Sequence, residues 1–158
     1  MKNPYKVKPR KMAAFFLYYA YQRQHMVNVG KLQALIFYAQ AWNLAMYLEP
    51  LFEEPIYANQ EGPALKSIDQ FFGKFGDNPI VELPDKPELH SDIDLHLQDV
   101  YQMYGKLTPA VLMDMTTQET PWQEVWEENG KDWIHAIKEE TMKVYYQARL
   151  NNESPGPI

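Results

Sequence analysis

The densest grouping of residues able to do chemistry is His90-Ser91-Asp92-Ile93-Asp94-Leu95-His96, two imidazoles and two carboxylates in one short run. Imidazole with carboxylate is the donor set of a metal-dependent hydrolase. The spacing argues against that use. On a helix that begins at Asp92, residues six apart point away from one another, so one ion does not collect both His90 and His96. Asp92 and Asp94 instead suit the positive end of a helix dipole. His25 and His135 stand alone in the sequence. The acid pairs Glu53-Glu54, Glu127-Glu128 and Glu139-Glu140 are better explained as solvated faces than as general acid/base machinery, because adjacent side chains on a helix diverge. No Gly-x-Ser-x-Gly, Gly-x-Gly-x-x-Gly, phosphate-cradling loop or His-Glu-x-x-His occurs. An enzyme is the weaker class, and the sequence calls for no metal and no cofactor.

Two other segments stand out: Gln60-Glu61-Gly62-Pro63, with Tyr57 just before it, and Gln118-Glu119-Thr120-Pro121-Trp122. Each places polar groups beside a bulky apolar residue where the pattern predicts a helix start. Such starts carry free amides able to meet a partner's carboxylate or backbone, although every helix has them.

The elements that must position these residues are read from periodicity and punctuation. Residues 1–9 form a basic arm with Pro4 and Pro9, which a solubilising role explains better than nucleic-acid contact. A first helix is predicted over 10–22. Its apolar run from Met12 to Tyr21 carries three tyrosines and is about half the roughly 20 residues a membrane span needs, so a buried helix is predicted rather than a signal peptide or anchor. The second helix has Leu32, Leu35, Ile36, Ala39, Trp42 and Met46 at helical spacing, Asn28 as N-cap and Glu49-Pro50 as its stop. Pro50 and Pro55 keep the next stretch extended. That stretch admits a strand around Ile56 to Ala58, and a short two-stranded β element near residues 51–60.

Gly62-Pro63 reads as a turn that sets proline at the start of a third helix with Leu65, Ile68 and Phe72, ending near Gly73. Residues 73–90, rich in proline and glycine, read as a long, mobile surface connection. A fourth helix is predicted from Asp92 as cap to Gly105, with Ile93, Leu97, Val100, Tyr101 and Tyr104 as its stripe. Thr108-Pro109 and Thr120-Pro121 each pair a cap with proline, predicting short helices at 109–116 and 121–128, the latter closed by Asn129-Gly130. The last helix is predicted from Asp132 to about Leu150, lined by Ile134, Ile137, Thr141, Val144, Tyr145 and Ala148. Residues 151–158 read as a loose tail.

The fold class expected is therefore mainly α, a single-domain bundle of about seven helices spanning residues 10–150. With 158 residues, one core burying roughly 70% of the unfolded surface suffices. Fifteen basic and 21 acidic residues give a net charge of −6, which repels a polyphosphate backbone and disfavours nucleic acid as main partner. There is no cysteine, which excludes disulfides and thiolate chemistry and fits a reducing cytoplasm.

Lys31-Leu32-Gln33-Ala34-Leu35-Ile36-Phe37-Tyr38-Ala39-Gln40-Ala41-Trp42, Leu51-Phe52, Glu61-Gly62-Pro63, Val100 to Gly105 and Pro121-Trp122 together, and in this order, resemble the Panacea domain of bacterial and phage antitoxins, which includes SocA-like proteins. The resemblance runs from about Met12 to Tyr146. It departs at Thr117, where the family commonly has histidine, and at Ala64-Leu65-Lys66, where valine and a further proline are usual. A role built on that histidine therefore does not carry over. The resemblance implies a non-catalytic antitoxin of a toxin–antitoxin system, for instance in phage defence. Its partner would be a cognate protein toxin encoded by an adjacent gene, bound through Tyr57, Gln60, Glu61, Gly62, Pro63, Gln118, Glu119, Pro121 and Trp122. The alternative it implies is a proteolytic adaptor that delivers the toxin to a cytoplasmic ATP-dependent protease.

Overall fold

A computed structural model of the chain describes residues 6–82, 84–126 and 130–151. Its organising element is α2 (Val29–Tyr47), in which every residue from Lys31 to Ala45 is buried. The apolar stripe read from the sequence is thus only one side of a helix covered all round, which is what a helix at the centre of a core looks like. It is covered by α1 (Pro9–Gln22), α3 (Lys66–Phe72), α4 (Ser91–Tyr104), α5 (Pro109–Thr117) and α7 (Glu139–Leu150), and by β2 (Gly62–Ala64) of a small hairpin. A one-turn α6 (Thr120–Gln123) joins α5 to α7. The fold is mainly α in a single domain, as expected, with β1 (Tyr57–Asn59) and β2 as its antiparallel pair.

A helix with no free face must also place its polar side chains, and α2 spends them on its neighbours' backbones. The Gln40 amide donates to Phe52 O at 2.9 Å and accepts from Leu51 N at 2.7 Å. Gln33 does the same for both backbone groups of Leu65, at 3.1 and 2.8 Å. Each amide replaces the strand partner that these extended residues lack. Asn43 Nδ2 donates to Glu49 O at 2.7 Å. The ammonium of Lys31, only 4% exposed, donates to Gly105 O beyond the end of α4, where a cation complements the helix dipole. Burial pushes that lysine's pKa down.

The boundaries follow local chemistry where caps decide them. Asn28 Oδ1 accepts from Lys31 N at 2.9 Å, Thr108 Oγ1 from Val111 N at 3.2 Å, and Pro9 sits in the first turn of α1. Three expectations are corrected. The cap of α4 is His90, whose Nδ1 accepts from Asp92 N at 3.2 Å, so Asp92 and Asp94 fall inside the first turn. Gly62 and Pro63 form a strand rather than a helix start: Pro63 faces Ala58 in a pair that exchanges no hydrogen bond, so its missing N–H is not needed. The last helix begins at Glu139, not Asp132. Residues before it run extended along the outer edge of the hairpin, with Ala58 N donating to His135 O at 2.8 Å and Ile137 N to Ile56 O at 2.7 Å. Satisfying that edge outweighs another helical turn, and Ile134 is left exposed. Within the connection 76–90, Ile80 is buried and its N–H donates to Val27 O at 2.8 Å. Residues 1–5, 127–129 and 152–158, with parts of the predicted arm, sixth helix and tail, lie outside the described residues.

Replacing either clamp by an apolar side chain of similar size strands two buried backbone groups. Gln33→Leu and Gln40→Leu should each lower unfolding free energy by about 2–4 kcal/mol in denaturant titrations. Gln102→Leu on the exposed face of α4 should change it by less than about 0.5 kcal/mol.

Candidate functional site

The two segments singled out in the sequence meet at the hairpin. Gln60 and Glu61 form its turn, and neither adopts positive φ, so Gly62 at φ +125° completes the reversal. Only glycine takes that conformation easily. A Cβ there would also come within 3.2 Å of Thr116 Oγ1 on α5. Trp122 Nε1 donates to Asn59 O at 2.8 Å, tying α6 to the end of β1. Asp132 Oδ1 accepts from Gln60 N at 2.9 Å, and Asn59 Oδ1 from Trp133 N at 2.8 Å. Trp133 sits at φ +67° and packs edge-on against Tyr57, ring centroids 5.8 Å apart. The turn is therefore held from outside, by an indole on one side and the 130–138 segment on the other.

The nine predicted site residues divide by burial. Gln60, Glu61 and Gln118 are exposed and Tyr57 half-buried, whereas Gly62, Pro63, Glu119, Pro121 and Trp122 are buried. Trp122, expected among the partner-contacting residues, is 9% exposed and stacks on Trp126 at 5.3 Å. Thr117 donates from Oγ1 to Met113 O at 2.7 Å. Asn59, Asp132 and Trp133 were missed. Their only sequence signal is that they are polar or aromatic residues beside predicted turns.

Glu119 was expected among the polar, partner-contacting groups at a helix start. It is the residue before α6, but its side chain makes no cap bond and turns inward, 4% exposed. Tyr38 Oη donates to Oε2 at 3.1 Å, Tyr146 Oη donates to Oε1, and Arg149 Nη1 lies 3.8 Å from Oε2. Tyr38 stacks on Tyr104 at 3.9 Å, and Trp42 Nε1 donates to the Tyr104 hydroxyl at 2.8 Å. Desolvation pushes the Glu119 pKa up, although the two hydroxyl donors and Arg149 pull the other way. Burial and the Glu119 charge push both Tyr38 and Tyr146 well above the phenol range, so they are donors at every accessible pH. Burial is the largest single effect on Arg149 and opposes its charge, but Glu119, Tyr145 and Tyr146 together outweigh it and raise its pKa. Arg149 Nη2 also donates to Tyr145 Oη at 2.7 Å. The cluster joins α2, the turn before α6 and α7.

His90 and His96 are not brought together. His90 caps α4 in solvent, while His96 is 5% exposed with Nε2 2.9 Å from Ala39 O. Desolvation lowers the His96 pKa, so the ring is neutral and, as the Nε2–H tautomer, donates to that carbonyl. Among the described residues no three His, Asp or Glu side chains converge on a metal position.

Between the hairpin and the starts of α2 and α5 lies a cleft of about 420 Å³, whose lining includes Asn59, Glu61, Pro63 and Trp133. That volume lies within the roughly 300–1,000 Å³ usual for ligand clefts.

Two expectations follow. Gly62→Ala should lose about 1–3 kcal/mol of stability by forcing a side chain into disfavoured φ and against Thr116, measurable by thermal or denaturant unfolding. The unfolded chain releases the Glu119 proton near 4.5, the folded chain at higher pH. Between those values the folded state holds more protons, so this contribution is complete below 4.5 and is lost as pH rises through the folded value. Denaturant midpoints measured from pH 4 to 8 should show that decline in the parent and a flatter profile in Glu119→Gln.

No curated protein and no solved structure matches the chain. The family description "Antitoxin SocA-like, Panacea domain" matches residues 32–123. That span runs from α2 through the hairpin to α6, and holds Tyr38, Glu119 and Trp122, while Tyr146 and Arg149 lie beyond it on α7. The chain belongs to the antitoxin SocA-like, Panacea domain family.

Proposed function

We propose that this chain is the antitoxin of a toxin–antitoxin pair and neutralises a protein toxin, encoded by a neighbouring gene, by binding its surface directly. The observation that carries the reading is the hairpin inside the family-matched span: its turn side chains, Gln60 and Glu61, are exposed, while its backbone is fastened by Trp122 and Asp132. A tip held that way loses little freedom when a partner docks, which favours affinity. The contact set is Tyr57, Gln60, Glu61 and Gln118, with Gly62, Pro63, Glu119, Pro121 and Trp122 shaping it from beneath. No catalytic residue is assigned, and the acidic net charge of −6 favours a basic toxin surface. No helix among the described residues is long and apolar enough to cross a membrane.

Co-expression with the neighbouring gene tests the reading. The neighbour should arrest growth alone, and this chain should restore growth and co-purify with it. A harmless neighbour, or arrest that persists in the presence of this chain, defeats the reading. Gln60→Arg with Glu61→Arg should abolish rescue while unfolding free energy stays within about 0.5 kcal/mol of the parent, because neither side chain supports the fold.

A further inference from the structure

The basic stretch that opens the chain has no part in the toxin contact, yet its end lies on a cleft of about 710 Å³ walled by α1, α3 and the connection after α3. Lys8, Arg10 and Lys11 all border it. Each is exposed, and none has a carboxylate within ion-pair distance among the described residues. The two acids on the cleft are engaged elsewhere. Glu54 accepts from Ser67 N at 2.9 Å and from Ser67 Oγ at 2.6 Å, and Glu82 is paired with Lys74 at 2.8 Å. With Lys74 counted beside the three cations, positive charge exceeds negative by two. In a chain of net charge −6 this is a local reversal of sign.

Arg10 gives that charge a fixed place. Its guanidinium carbon rests 3.8 Å from the centroid of the Phe71 ring, and its side-chain N–H groups have no protein acceptor among the described residues. Stacking holds the planar group on the ring while leaving its donors to an anion. Phe71 is 41% exposed and packs edge-on against Phe72, ring centroids 4.9 Å apart. Phe72 and Leu17, both buried, also border the cleft and give it an apolar floor. Apolar walls with a few charged groups are the make-up of a small-molecule site, and the volume falls in the range such sites occupy.

From these features we infer that the cleft binds a small phosphate monoester with an apolar body, its phosphate on Lys8, Arg10 and Lys11 and its body against Leu17, Phe71 and Phe72. The charge excess selects the head. A monoester is a dianion above its second pKa of about 6, whereas a carboxylate or a nucleic-acid phosphodiester brings one charge. A guanidinium also meets phosphate through two parallel bonds. The floor selects the body, because inorganic phosphate leaves all of that apolar surface in water. Nothing in this site depends on the antitoxin reading.

The test titrates phenyl phosphate into the isotopically labelled chain at about pH 8, above that second pKa, and follows the Arg10 side-chain and Phe71 ring resonances. Phenyl phosphate should shift both and saturate. Inorganic phosphate, which lacks the ring, and methyl phenyl phosphate, which keeps the ring with one charge fewer, should each bind about tenfold more weakly. Arg10→Gln with Lys11→Gln, read at Phe71, should weaken phenyl phosphate about tenfold or more. The denaturant midpoint should not move, since both side chains are exposed; if it does, Lys8→Gln with Lys11→Gln is judged by the same criterion. Lys143→Gln, which removes a lysine already paired with Glu140, should leave binding unchanged. No response to phenyl phosphate, or a response undiminished in the double variant, overturns the inference. Inorganic phosphate or the diester binding as tightly as phenyl phosphate also overturns it, and marks the cleft as holding an adventitious ion only.

Discussion

A helix enclosed on every side can keep polar residues only if each finds a partner, and α2 turns that constraint into the scaffold of the molecule. Lys31, Gln33, Gln40 and Asn43 are buried, and each bonds a backbone group of a segment that has no ladder of its own. Gln33 and Gln40 make two bonds apiece, so the extended stretches at Leu51-Phe52 and at Leu65 are fixed in register against the helix. Since β2 ends one residue before Leu65, the hairpin's position descends directly from the Gln33 amide.

At the opposite side of the core the constraint takes an ionic form. Glu119 is held by two phenol donors and faced by a guanidinium, from helices far apart in sequence. Desolvation still raises its pKa, so the carboxylate is tolerated rather than strongly favoured. What it contributes is specificity of docking: α7 satisfies the acid only in the alignment that brings Tyr146 and Arg149 over it. Arg149 Nε and Nη1 are buried without a hydrogen-bond partner among the described residues, and the Tyr145 and Tyr146 rings, 4.8 and 5.8 Å away, give that charge its other contacts.

The mainly α class, α1, α2 and α5 were legible because their signals are local: a proline in the first turn, Asn28 and Thr108 as caps, apolar residues at helical spacing. Boundaries set by distant partners were not. Nothing near Asp132 says that residues 135–137 will pair with 56–58, and nothing near Pro63 says that it will face Ala58 across a hairpin. Periodicity also understated α2, since an apolar stripe looks alike whether the other faces meet water or glutamine clamps. At the site, the two motif segments do meet, through Trp122 and Asn59. The inward turn of Glu119 was invisible because its partners, Tyr146 and Arg149, lie about thirty positions downstream.

The arrangement of α7 bears on how the chain is made. During synthesis, the acid, its first tyrosine and the whole of α2 emerge from the ribosome before the residues that complete them. Until α7 is translated, α2 has an uncovered flank and Glu119 lacks both Tyr146 and Arg149. Nascent chains that stall short of this helix thus present apolar surface and an ill-compensated charge to chaperones and proteases, and only a chain carrying α7 closes the core.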